Sequence, residues 1–286
     1  MANETIRERE RDYQFHLDIA EKIAPTWAKR RAEIEEFSAP VRQWLLRELD
    51  PKEGDTILEL AAGVGDTGFE AARIIGSGGR LITSDLSPAM VDAARRRGAE
   101  LGLGNVEYRV INAEHILLDA DSVDGVLCRF GYMLMPDPAA AFAETRRVLR
   151  AGGRLVLAVW GPMERNPWLA IAGISLSQRG LIPPPPPPPA PDPFSMANAE
   201  RVETLLADAG FTDVRTEEVH GTFAIADADH YLGLIGDTAG PVGLALQGLG
   251  EDERTAVRAD VADALGRFGV DGGYELPAVA LCALAS

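Results

Sequence analysis

Cysteine is nearly absent from this chain: Cys128 and Cys282 are the only two in 286 residues. That excludes a disulfide framework and a cysteine-rich metal cluster, and no metal site is expected. Both cysteines fall in apolar stretches that read as strands, where a thiol behaves as a small buried hydrophobe. Positive charge is also scarce. Lys and Arg number 28 against 44 Asp and Glu, a formal net charge of −16. A nucleic-acid partner needs clustered cations and is not expected. No uncharged apolar run reaches the ~18 residues of a membrane span, so none is expected. The stretch from Met1 to Asp12 is dense in Glu and Arg and holds no hydrophobic signal core. The expectation is a cytoplasmic protein.

What remains is ordinary globular composition, 46% hydrophobic and 25% charged, in a chain long enough for a sizeable core. Residues 1–50 read as helical. Ile34, Phe37, Val41, Leu45, Leu46 and Leu49 recur at three- and four-residue steps, giving one apolar stripe. Pro51-Lys52-Glu53-Gly54-Asp55 breaks that pattern. From 51 to 160 strand and helix signals alternate: strands at 57–60, 80–84, 106–110, 123–128 and 154–160, helices at 65–75, from Ser87-Pro88 toward Gly102, and from Asp137-Pro138 to Leu149. Repeated βα units with nearly continuous apolar strands mean an α/β fold, doubly wound, with a mostly parallel sheet covered on both faces.

The pattern changes after Gly161-Pro162. Residues 161–195 hold Trp168 in a short apolar helix and then an unbroken proline run, 183–189. Such a run forms polyproline II at ~3.1 Å per residue, a stiff connector of roughly 20 Å. In the last part, 196–286, Asn198 caps a helix that Gly210-Phe211 stops, strands occur at 214–225 and 276–283, and 227–268 is a helical insertion.

Chemistry concentrates at the end of the first strand and in the glycine turn beyond it. That strand ends in Glu59 and leads into Gly63-Val64-Gly65-Asp66-Thr67-Gly68, and the second strand ends in Asp85. Glycines let backbone approach a ligand closely, and a carboxylate at the tip of the next strand can grip ribose hydroxyls. The glycines literally fit the G-x-G-x-x-G fingerprint of nicotinamide dinucleotides, so an NAD(P)-dependent oxidoreductase is one reading. Glu59 argues against it: a pyrophosphate would meet an added negative charge, whereas a cationic ligand would be stabilised. S-adenosylmethionine is such a cation and carries no phosphate.

Here the chain resembles class I S-adenosylmethionine-dependent methyltransferases, particularly the ubiquinone/menaquinone biosynthesis group and related small-molecule methyltransferases. Glu59-Leu60-Ala61-Ala62-Gly63-Val64-Gly65 looks like the family's first motif, with Ala61 where glycine is usual. Asp85-Leu86-Ser87-Pro88-Ala89-Met90 resembles the acidic second motif. Asn112-Ala113-Glu114 resembles the adenine-contacting segment, with Asn112 in place of an acid. Segments 122–130, 149–155 and 209–211 fit as well.

The resemblance implies a Rossmann-like seven-stranded sheet with helical cap elements, residues 1–50 forming a lid. It implies that S-adenosyl-L-methionine binds and leaves as S-adenosyl-L-homocysteine, its methyl passing to an O, N or C nucleophile of a small acceptor. Glu59, Ala61, Gly63 and Gly65 would sit by the methionine part, Asp85 at the ribose, Leu86 and Met90 beside the adenine. Asn112, Ala113 and Glu114 would line the adenine edge, with Arg129 near the methionyl moiety. His115 and His16 are the candidate bases. Tyr13, Phe15, Trp27, Tyr132 and Trp168 are the candidate acceptor contacts, and such a set suits a hydrophobic or aromatic molecule. A non-catalytic S-adenosylmethionine-binding protein is the other alternative. Oligomeric state stays open, a homodimer included.

Overall fold

The computed structural model describes residues 2–184 and 190–286, with the side chains of residue 11 and of 13 onward within them. Its first helix, α1 (Ala2–Leu49), continues through Pro25 and Pro40, each of which forgoes one i→i−4 hydrogen bond. The predicted alternation comes next as β1 (Thr56–Leu60), α2 (Asp66–Ile75), β2 (Arg80–Asp85), α3 (Pro88–Glu100), β3 (Val106–Val110), β4 (Val123–Arg129), α4 (Pro138–Val148) and β5 (Leu149–Trp160). Then come α5 (Pro167–Gln178), α6 (Ala199–Asp208), β6 (Arg215–Ile225), α7 (Ala228–Thr238), α8 (Gly240–Gln247), α9 (Glu251–Leu265), β7 (Gly269–Val270) and β8 (Gly273–Ala285).

Local sequence explains the helix starts. Ser87 accepts the amide of Met90, and Asp137 that of Ala140, each with proline in the first turn; Asn198 and Asp227 cap α6 and α7 in the same way. The sheet runs β3-β2-β1-β4-β5-β8-β6. β1 to β5 pair in parallel, and β8 lies antiparallel between β5 and β6. This is the expected α/β class, a mostly parallel sheet flanked by helices, and it departs from the all-parallel order of dinucleotide folds.

Two details differ from expectation. β5 begins at Leu149, which pairs with Val123 before the register shifts; the Gly152 turn (φ +79°) bends the strand without ending it. The two-residue β7 pairs with the start of β8 and is too short to leave a periodic signal. Of the proline run, only Pro183 and Pro184 lie among the described residues.

β4, residues 155–160 of β5 and residues 278–285 of β8 are buried almost throughout, as strands covered on both faces must be. α1 climbs one face of the sheet. Near its end Trp44 donates to Glu217 on β6 at 2.9 Å, and its middle portion passes over the carboxyl ends of the strands. The candidate site lies at those ends.

Candidate cofactor-binding site

Glu59 and Thr83 are register partners on β1 and β2. The Thr83 hydroxyl donates to Glu59 Oε2 at 2.7 Å, and the Gly68 amide donates to Oε1 at 2.8 Å. Ser84 adds a bond to the Glu59 carbonyl. The Glu59 side chain is thus locked beneath the first turn of α2, with only 2% of the residue exposed. Its carboxyl, expected beside the methionine part, lies behind the turn in this structure. Burial pushes its carboxyl up to about 8, against the donors on both oxygens. Glu59 therefore holds the turn in place from behind.

The turn is left-handed at Ala61 (φ +50°), Gly63 (φ +56°) and Gly65 (φ +86°). Ala61 departs from the glycine that suits such a backbone. Its methyl has room because residue 131 is glycine: a Cβ there would lie 2.5 Å from the Ala61 Cβ. Asp85 reaches back across the turn, its Oδ2 accepting from the Gly63 amide at 2.9 Å and its Oδ1 from the Ser87 amide at 3.0 Å. Burial raises its pKa. Each oxygen keeps a free lone pair for a hydroxyl donor.

The residues present fit an adenosyl cofactor. Where the turn enters α2, Thr67 Oγ1 and Asp66 Oδ2 are buried with no hydrogen-bond partner among the described residues, and a buried polar atom left unmade is costly. Burial, followed by nearby Glu35, raises the Asp66 pKa. Of the residues expected around the adenine, Met90 and Ala113 are buried and Leu86, Asn112 and Glu114 half-buried. Asn112 Oδ1 accepts the Glu114 amide and Glu114 Oε1 accepts the Asp137 amide, which fixes the loop after β3.

Sequence reasoning singled out Trp27 on α1 but missed Glu21, Arg31, Glu35 and Arg42, by which the same helix engages this site. Glu21 Oε1 accepts from the Ser87 hydroxyl (2.5 Å) and the Ala89 amide (3.0 Å) at the start of α3. Trp27 Nε1 would lie 3.8 Å from a Cβ at Gly63. Arg31 pairs with Asp66 at 3.2 Å. Arg129 donates to Glu35 at 2.6 Å and to Ser38 at 2.5 Å, and Arg42 ties Glu35 to Glu70. Acids and bases on a long helix read as a solvated face, so nothing in the one-dimensional pattern singled these out.

Of the candidate acceptor contacts, Trp27 lies beside the glycine turn, and Trp168 packs among Phe37, Trp160 and Phe223. Tyr132 is turned into the core: it is fully buried, its ring stacks on Phe142 at 4.2 Å and its hydroxyl bonds Thr145 at 2.7 Å. Phe15 is 53% exposed and packs edge-on against His16, with Tyr13 on the same helix. His115 is exposed in a turn, its amide donating to the Asn112 carbonyl. Among the described residues no cluster of three or more metal-ligating side chains occurs, and no helix is long and apolar enough to cross a membrane.

The model of the ubiE/COQ5 methyltransferase family matches residues 41–165. The Francisella philomiragia ubiquinone/menaquinone biosynthesis C-methyltransferase UbiE is 34% identical over 107 residues, 37% of this chain and 43% of that protein. Nocamycin O-methyltransferase of Saccharothrix syringae is 36% identical over 122 residues, 43% of this chain and 44% of that protein. The chain thus spans less than half the length of these curated relatives. The YcgJ protein of Bacillus subtilis shares the fold, with a TM-score of 0.59 and 16% identity over 85% of this chain and 96% of that one.

Proposed function

We propose, for a chain that has the class I methyltransferase fold and is related to the ubiE/COQ5 family over its core, that it transfers a methyl group to a small apolar organic molecule. S-adenosylmethionine, when bound, supplies that group already activated by the sulfonium. The observation that carries the reading is the juxtaposition of Asp85 with the left-handed turn at Gly63, at the carboxyl ends of adjacent strands. Asp85 would take the ribose hydroxyls. The backbone at Ala61, Gly63 and Gly65 would border the methionyl part, with Arg129 beside it. Leu86, Met90, Asn112, Ala113 and Glu114 would enclose the adenine.

The protein's own contribution is alignment. A nucleophile held in line at near-attack distance gains most of its rate from lost translational freedom. Helix α1 serves as the lid, since Glu21, Trp27, Arg31 and Glu35 all engage residues at the site. Closing it excludes water from the transfer.

The test is transfer of tritium from methyl-labelled S-adenosylmethionine into organic-extractable product, across a panel of apolar hydroxylated, amino and activated-carbon acceptors. Product formation that Asp85→Ala lowers at least tenfold, the scale of losing a charged hydrogen bond, supports the reading. Cofactor binding without transfer to any acceptor would make the chain a binding protein.

A further inference from the structure

Five aromatic rings converge where β4, β5 and β6 end beneath α1. Phe130 stacks on Trp160 at 3.8 Å with 12° between planes. Trp168 stacks on Phe223 at 4.0 Å and meets Trp160 edge-on at 5.0 Å. Phe37 lies 3.6 Å from Phe223, 5.5 Å from Trp168 and 6.1 Å from Trp160, centroid to centroid. Four of these rings belong to the sheet and α5; Phe37 alone comes from the helix that covers the site.

Two features mark this cluster as more than packing. Phe130 holds a left-handed backbone (φ +63°), a strained state for a bulky residue that persists only where the surroundings impose it and that gathers at functional sites. Trp168 is 7% exposed, and its indole N–H has no hydrogen-bond partner among the described residues. Buried indole N–H groups ordinarily find an acceptor, as that of Trp44 does in Glu217. The cluster therefore contains one buried hydrogen-bond donor left unpaired among the described residues, beside a ring carried on a different element.

We propose that Phe37 holds the place of an aromatic acceptor, and that the Trp168 indole N–H recognises an oxygen carried by that acceptor. This rests on the methyl-transfer reading above and sharpens its substrate class to planar aromatic molecules bearing a carbonyl or ether-like oxygen. Displacement of the Phe37 ring from the stack leaves a slot faced by Phe223, Trp168 and Trp160. A planar guest entering it replaces one ring–ring contact by another and completes the hydrogen bond that the closed state lacks.

The probes are 2-acetylnaphthalene and its near-isostere 2-isopropenylnaphthalene, which differ in one hydrogen-bond-accepting oxygen. Their dissociation constants are measured by equilibrium dialysis against the full chain saturated with S-adenosylhomocysteine. The parent should prefer the ketone by up to about tenfold, the scale of one buried hydrogen bond. Trp168→Phe keeps a ring and removes the donor, and should abolish the preference while leaving the hydrocarbon within about twofold. Phe37→Ala vacates the slot and should tighten both probes while retaining the ketone preference, which the added Trp168→Phe should erase. A merely structural cavity at position 37 would bind both probes alike. No preference in the parent, a preference that survives Trp168→Phe, or no gain from Phe37→Ala overturns the inference. Any of these in protein that still binds S-adenosylhomocysteine leaves the cofactor reading standing; loss of that binding in the parent removes the reading itself.

Discussion

The Gly68 amide donates to Glu59 Oε1 at 2.8 Å, and a Cβ on residue 68 would stand 2.2 Å from Glu59 Oε2. The third glycine of the turn is therefore fixed by a buried carboxyl behind it, which fills the space between α2 and β1. Gly68→Ala must push Glu59 aside and break that bond. The combined overpacking and loss of pairing should cost about 2–4 kcal/mol in urea unfolding. Adding Glu59→Ala, which makes room for the new methyl, should recover part of the loss, so that the double variant falls short of the sum.

Glu59 also gives the fold a pH signature. Its carboxyl is raised by burial from an ordinary 4.5 to about 8. Between those values the folded chain keeps a proton that the unfolded chain has released. Its contribution is full below about pH 4.5 and is lost as pH rises through about 8. Asp85 is raised in the same direction, again by burial, so the slope is shared. Glu59→Gln keeps an acceptor for Gly68 and a donor for Thr83 but does not titrate. Urea midpoints measured from pH 5 to pH 9 should fall more shallowly for this variant than for the parent. An unchanged slope would show that Glu59 ionises in the unfolded and folded chains alike.

Arg129 and Glu35 join the end of β4 to α1 at 2.6 Å, with side chains only 13% and 14% exposed. Glu35→Ala leaves both Arg129 and Arg42 without their shared carboxylate. Removing one partner of a buried pair strands the other charge, a cost of about 3 kcal/mol. Because the pair fastens α1 to the end of β4, the loss should show first as local opening. Amide hydrogen exchange in the first forty or so residues of α1 should quicken before the strands of the sheet respond.

Much of this was legible in the chain itself, for physical reasons. Apolar runs such as those of β4 and β5 can be satisfied only between two helical layers, and Ser87-Pro88 and Asp137-Pro138 carry their capping chemistry in adjacent residues. The position of Asp85 at a strand end was equally plain. The direction of Glu59 was not: periodicity gives the face of a strand, but the gap left by Gly68 appears only once α2 is docked. Tyr132 comes just after the fourth strand, as an acceptor contact would, yet its ring is drawn under α4 by Phe142. Phe37 belongs to the apolar stripe of α1 and reads as ordinary core, because what it stacks on comes from residues 160, 168 and 223. Glu21, Arg31 and Glu35 were hidden for the opposite reason, since charges on a helix find their partners by topology.

The central claim is that the turn from Ala61 to Gly65, with Asp85 beside it, receives S-adenosylmethionine and not a dinucleotide. Isothermal titration of the full chain with S-adenosylhomocysteine and, separately, with NADH tests it most directly. The account predicts micromolar binding of S-adenosylhomocysteine, weakened at least tenfold by Asp85→Ala, and no heat from NADH. Binding of NADH, or S-adenosylhomocysteine binding that Asp85→Ala leaves untouched, would contradict it.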